Sequence, residues 1–204
     1  MLYLVRHGQT AANVAGLLLG RADPPLTELG RRQAMAIAAA LPAPARIVSS
    51  PLSRARDTAA AFGPAVEIDE RWVEMDYGEL DGRPVASVSA DFWSRWRTDP
   101  DFAPSGGESL AAVGERVRCA CTELAESATG ADVVVVSHVS PIKAAIAWAL
   151  GVTDAVAWRM YVDDAAVARV DMGPPAPVLM SFNELFPVRE TAAGDPGSAS
   201  GDLP

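Results

Sequence analysis

Residues 132–137 read DVVVVS, and His138 follows at once. Four consecutive valines carry no polar alternation, so the strand they form must be covered on both faces, as a parallel strand at the centre of a sheet is. Outward from it the apolar patches change type in turn, short β-branched runs alternating with longer Ala-, Leu- and Arg-rich stretches of helical period. This alternation predicts an α/β fold: a three-layer α/β/α sandwich with a mostly parallel central sheet flanked by helices. Strands are expected at residues 2–5, 46–50 and, at an edge, 66–69. A helix is expected over 27–41, with Thr27 as its N-cap and Pro42 as its stop. Pro51, at a first helical position, opens another to about Phe62. Residues 85–97 read as a helix with an aromatic stripe of Phe92, Trp93 and Trp96, and 108–127 as a long helix. The spacing then predicts a helix over 141–150 ended by Gly151, and closing strands at 165–171 and 178–182.

The 204 residues are half apolar and 21% charged, enough to bury one core, and a single domain is expected over residues 1–186. From Pro187 onward the chain reads PVRETAAGDPGSASGDLP, small, polar and rich in Gly and Pro, and a disordered tail is expected there. A net charge of −9 gives nucleic acid or an anionic membrane no electrostatic footprint, so any bound anion must be met locally. Cys119 and Cys121 point to different faces of a helix, cannot be bridged, and read as small buried residues of a reducing compartment. No apolar run approaches the ~18 residues of a membrane span, and Arg6 interrupts the first apolar stretch too early for a signal segment. The expectation is a cytoplasmic protein with no nucleic-acid or membrane partner, a monomer or a homodimer.

Several catalytic devices are absent. Lys143, the sole lysine, lacks the glycines of a phosphate loop, no G-x-S-x-G elbow occurs, and neither cysteine has an arginine six residues on. Two histidines, His7 and His138, are too few for a His-rich metal site. What remains is a repeated arrangement. The strand at 2–5 runs into Arg6-His7-Gly8, and DVVVVS runs into His138. The carboxyl ends of parallel strands form the binding crevice of an open sheet, so both histidines arrive at one edge. A third strand ends at Ser49-Ser50, and the helix after it carries Arg54 and Arg56. An arginine fork beside free helix N–H groups suits an anion, and Arg6, Arg54 and two imidazoles make a cationic pocket for a phosphoryl group. The plainer readings are satisfied structural histidines and an Arg54–Asp57 surface ion pair.

The motifs LVRHGQT (4–10), Asn13, GRADPPLTELGRRQA (20–34), SSPLSRARDTA (49–59), WVEMDYGELDG (72–82), PSGGES (104–109) and VVVVSHVSPIK (133–143) resemble, in order and spacing, those of the histidine phosphatase superfamily, the phosphoglycerate-mutase-like proteins, in its phosphatase branch. The resemblance implies that His7 is the nucleophile and becomes a phosphohistidine. Arg6, Arg54 and His138 would hold the phosphoryl oxygens, assisted by Asn13 and by Gln9, Thr10 or a backbone N–H near Val139. Glu74 would give a proton to the leaving oxygen. No metal or cofactor is implied, since the arginines and a protonated histidine supply the charge, and the partner would be a small phosphorylated metabolite. Glu70, Asp76, Glu79 and Asp81 crowd Glu74, which reads either as a solvated acidic face or as neighbours that raise its pKa. The chain departs from the family pattern at Val139-Ser140, where two glycines are common, at Lys143, where arginine is frequent, and at Gln9, where glutamate is commoner.

Within the resemblance a phosphatase passes the phosphoryl group from His7 to water, and a cofactor-dependent mutase returns it to another hydroxyl. Mutases carry a long insertion between the Glu-containing loop and the G-E-S segment. Only residues 83–106 separate them here, which favours the phosphatase. A pocket that binds phosphate without turnover is the third reading.

Overall fold

The computed structural model describes residues 1–127 and 130–188. Its sheet has six strands: β1 (Leu2–Arg6), β2 (Arg46–Ser49), β3 (Val66–Ile68), β4 (Val133–Ser137), β5 (Val167–Asp171) and β6 (Val178–Glu184), in the order β3-β2-β4-β1-β5-β6. β3, β2, β4 and β1 run parallel, and β5 and β6 close the sheet as an antiparallel pair on the far side of β1. All five residues of β4 are buried, because this strand has a parallel neighbour on each edge and helices on each face.

The helices are α1 (Ala11–Val14), α2 (Glu28–Ala40), α3 (Ser53–Ala59), α4 (Ala90–Thr98), α5 (Leu110–Ser127) and α6 (Val139–Leu150). Strand side chains alternate between the two faces. Leu2, Leu4, Val133 and Val135 pack with Val113 and Val117 of α5 and Ile142 and Ile146 of α6. Tyr3, Val5, Val134 and Val136 pack with Ile37 of α2 and Ala55 and Ala59 of α3. This is the three-layer α/β/α sandwich. Thr27 caps α2 by accepting the Gly30 N–H, and Gly151 ends α6 with φ of 64°.

Four local expectations are corrected. α3 starts at Ser53 rather than at Pro51: Leu52 is extended, and the carboxylate of Asp23, from another loop, accepts the Ser53 N–H at 2.7 Å. Residues 60–62 continue α3 as a tighter 3-10 turn. α6 starts at Val139, two residues before Pro141, which sits in the first turn where its missing N–H has no intrahelical partner to lose. The helix expected over 85–97 is a 3-10 turn (Val85–Ser87) followed by α4, because Ser89 caps the new helix at Phe92 N. Cys121 is buried in the core, but Cys119 is exposed. Of the tail expected from Pro187, all but Pro187 and Val188 lie outside the described residues. No described helix is long and apolar enough to cross a membrane.

Candidate active site

The parallel register carries the two histidines to one place. Arg6 pairs with Ser137 at the ends of β1 and β4, and the His7 N–H donates to the Ser137 carbonyl at 3.0 Å. The rings of His7 and His138 stand 5.0 Å apart at a tilt of 59°, both buried. His7 Nδ1 lies 2.7 Å from the Gly8 carbonyl oxygen. A carbonyl only accepts, so Nδ1 carries the proton and the Nε2 lone pair is left free to accept the Arg54 Nε–H at 3.2 Å. Burial first, then the charges of Arg6 and Arg54, holds His7 well below the ordinary imidazole range. His138 is held down in the same way by burial, then by His7, Arg54 and Arg6. Both rings are therefore neutral at pH 7. The fixed positive charge of the site comes from the arginines.

Arg54, fully buried, extends from the first turn of α3 with its fork held by backbone: Nη1 donates to Ala22 O at 2.8 Å and Nη2 to Gly20 O at 2.9 Å. Its nearest carboxylate is Asp23 at 3.4 Å rather than Asp57, and Arg56 is exposed. The loop that offers these carbonyls is itself shaped by Asp81, whose carboxylate accepts the N–H groups of Gly20, Arg21 and Ala22. Arg6 is clamped by the segment after α6: Nη1 donates to Val162 O, and Nη2 meets Asp164 Oδ1, both at 2.7 Å. The same segment binds the backbone, since Ala165 N–H donates to His7 O and Arg6 N–H to Ala166 O. Arg6 Nε is buried with no protein partner among the described residues.

Glu74 is only 3% exposed and lies at the start of α6. Its carboxylate accepts the N–H groups of Met75 at 2.8 Å and of Val139 and Ser140 at 3.1 Å. The Val139 N–H expected on a phosphate is thus on Glu74 here. Glu74 is not part of a solvated face. Two of the acids that crowd it in sequence also serve other groups: Asp81 the loop above, Asp76 the Gly78 N–H.

The assisting residues divide. Asn13 lines a cleft of about 560 Å³ together with Arg6, Val139, Lys143, Tyr161 and Asp164. Its Oδ1 accepts from Thr10 N at 2.8 Å and Thr10 Oγ1 at 2.7 Å. Thr10 is fully buried, its hydroxyl committed to capping α1. Gln9 Oε1 accepts from Thr27 Oγ1 at 3.0 Å, which turns its side chain to the start of α2.

Two residues not assigned from sequence support the centre. Ser50 Oγ is 2.7 Å from His138 Nε2, and His138 Nδ1 is buried without a partner among the described residues. Thr58 Oγ1 accepts the Gly8 N–H at 3.0 Å and donates to Arg54 O at 2.8 Å, tying the nucleophile loop to the arginine helix. The signal for Ser50 was its place at the end of β2. Thr58 lies one helical turn after Arg54.

The profile of the histidine phosphatase superfamily (branch 1) matches residues 2–185. A bifunctional protein of Mycobacterium tuberculosis is 40% identical over 159 residues, which are 73% of this chain; the chain spans 44% of that relative's length. A glucosyl-3-phosphoglycerate phosphatase of M. tuberculosis is 41% identical over 154 residues, 67% of this chain and 69% of its own. A probable phosphoglycerate mutase of Yersinia enterocolitica is 31% identical over 181 residues, 83% of this chain and 84% of its own. Among solved structures, mycobacterial glucosyl-3-phosphoglycerate phosphatase in complex with VO3 superposes with a TM-score of 0.80 at 35% identity, covering 89% of this chain and 98% of that one. With paired histidines, two clamped arginines and a buried glutamate at the carboxyl edge of a matching sheet, the chain belongs to the histidine phosphatase superfamily, branch 1.

Proposed function

We propose that the protein hydrolyses small phosphomonoesters through a phosphohistidine on His7. The observation that carries this is the tautomer of His7: Nδ1–H is spent on the Gly8 carbonyl, so a neutral ring presents Nε2 beside the Arg54 guanidinium. Nε2 attacks phosphorus, the ester P–O bond breaks, and the leaving oxygen takes its proton from Glu74 in its protonated form. Arg6 Nε, Arg54 and the free nitrogen of His138 supply hydrogen bonds to the equatorial oxygens as charge builds on them. His138 gains a proton more readily once the dianion is bound. Water then attacks the phosphohistidine, Glu74 takes its proton, and inorganic phosphate leaves with His7 neutral again. In this reading Asn13, on the wall of the cleft beside Arg6, meets the phosphate or its ester. Thr10 and Gln9 support the loop instead.

Water is favoured over a second hydroxyl as acceptor because residues 83–106 build only a 3-10 turn and α4, with no large lid to retain a bisphosphate. The substrate class rests on the named phosphatases among the relatives. Wild-type protein and His7→Ala assayed on 4-nitrophenyl phosphate test the proposal. Acid-labile phosphate trapped on the wild type alone is the expected result, and equal rates for the two proteins overturn it. Rapid isomerisation of 3-phosphoglycerate stimulated by 2,3-bisphosphoglycerate would favour the mutase.

A further inference from the structure

The group that protonates the departing oxygen has to touch it, so Glu74 marks the side of the site on which the alcohol of the ester lies. The surroundings of Glu74 lead to one place. Met75 follows it in the chain, its carboxylate accepts the N–H groups of Val139 and Ser140, and all three of these residues line a partly open pocket of about 90 Å³. The opposite wall is aromatic: Tyr77, Trp93, Trp96 and Trp158. Trp96 stands edge-on to Tyr77 with ring centres 5.8 Å apart, lies 5.8 Å from Trp158, and stacks on Trp93 at 5.4 Å and 15°. Lys143, one turn along α6 from Val139, lies on the rim shared with the open cleft.

A core would close such a space, since interiors are packed without voids of this size. Trp93 and Trp158 are instead half-buried around it. The wall offers few polar groups. The Tyr77 and Ser140 hydroxyls lie 3.3 Å apart and share one hydrogen bond; the other donors are Lys143 and the indole N–H groups of Trp93, Trp96 and Trp158, of which the buried Trp96 Nε1 has no partner among the described residues. These side chains are almost all donors, so a polyol would find few acceptors for its hydroxyl hydrogens here, at a cost for each one desolvated. Aromatic walls also suit a quaternary ammonium, but Lys143 on the same rim opposes a cation.

We propose that this pocket receives the alcohol portion of the substrate, and that the substrate is the phosphate ester of a compact, largely apolar alcohol, an aryl or branched-alkyl phosphate in preference to a glycerol-like one. The proposal rests on the phosphatase reading, because Glu74 is what marks the leaving-group side. At about 90 Å³ the pocket is smaller than the cavity of about 150 Å³ that takes up benzene in another protein, so a single ring enters only part-way, from the open side.

Calorimetry with two non-hydrolysable ligands, methylphosphonate and benzylphosphonate, separates the pocket from the chemistry. Benzylphosphonate should bind the wild type at least tenfold more tightly than methylphosphonate, and Trp158→Ala should reduce that ratio to threefold or less. Trp93→Ala serves if Trp158→Ala does not fold, as judged by its thermal unfolding. Equal binding of the two ligands by the wild type, or a ratio that survives the substitution, overturns the proposal. Hydrolysis of esters without the benzyl preference removes the pocket and keeps the phosphatase. The benzyl preference without hydrolysis of any ester keeps the pocket as a binding site and removes the phosphatase.

Discussion

Lowering the pH from 7 to 5.5 is expected to destabilise the native chain through its two histidines. In the folded protein both imidazoles are buried against arginines and stay neutral. In the unfolded chain each takes up a proton near pH 6.5. The unfolded state therefore binds more protons below that value, so this stability is present above pH 6.5 and lost as the pH falls. For one histidine that ionises only when unfolded, the loss over this interval reaches about 1 kcal/mol, and for the pair about 2 kcal/mol. Against a typical total of roughly 5–15 kcal/mol this is easily measured. Urea unfolding at the two pH values, on the wild type, His7→Gln and His138→Gln, gives the comparison, and groups common to all three proteins cancel. The wild type should lose about 2 kcal/mol and each variant about half as much. Equal losses in all three would refute the neutral pair and, with it, the argument that His7 is ready as a nucleophile at pH 7. Saturating inorganic phosphate should shrink the wild-type loss, because a bound anion beside His138 favours the imidazolium.

Glu74→Gln should lower kcat on alkyl phosphates by roughly 10²–10⁴-fold and far less on 4-nitrophenyl phosphate, whose leaving group needs no proton; equal losses on both would remove Glu74 as the acid. Thr58→Val leaves the buried Gly8 N–H without its acceptor and should cost about 1–3 kcal/mol, seen as a lower urea midpoint. An unchanged midpoint would show that the bond contributes nothing. Gly30→Ala should lower the melting temperature even though alanine ordinarily favours a helix by about 1 kcal/mol, because a Cβ at Gly30 runs into the backbone of Gln9. A rise in melting temperature would mean that α2 does not pack against the nucleophile loop.

The centre of the sheet was legible because β4 announces itself. Four valines without alternation can be satisfied only by cover on both faces, and the residue that follows the strand, after Ser137, is one of only two histidines. His7, His138 and Arg54 were legible for the same reason, since a strand end fixes where the next residue goes. What escaped was everything set by a distant partner. α3 begins late because Asp23 reaches across to Ser53, and α6 begins early because Glu74 caps Val139 and Ser140. Neither partner is near in sequence. Helix rules applied to Pro51 and Pro141 see only the local chain, and at both prolines a carboxylate from elsewhere decided the boundary. Gln9 and Thr10 belong to the motif, yet their hydrogen bonds go to the loop and to the starts of α1 and α2.

β1, the first strand of the chain, sits between β4 and β5, both drawn from its second half. The strand leading to His7 therefore has no partner on either side until residues 133–171 have been made. The helices need only neighbouring residues and can form early, whereas pairing distant parallel strands is among the slow steps of folding. The two histidines can accordingly meet only once β1 has paired with β4, late in the assembly of the sheet. A chain stopped short of β4 can show helical structure and still have nowhere to place His7.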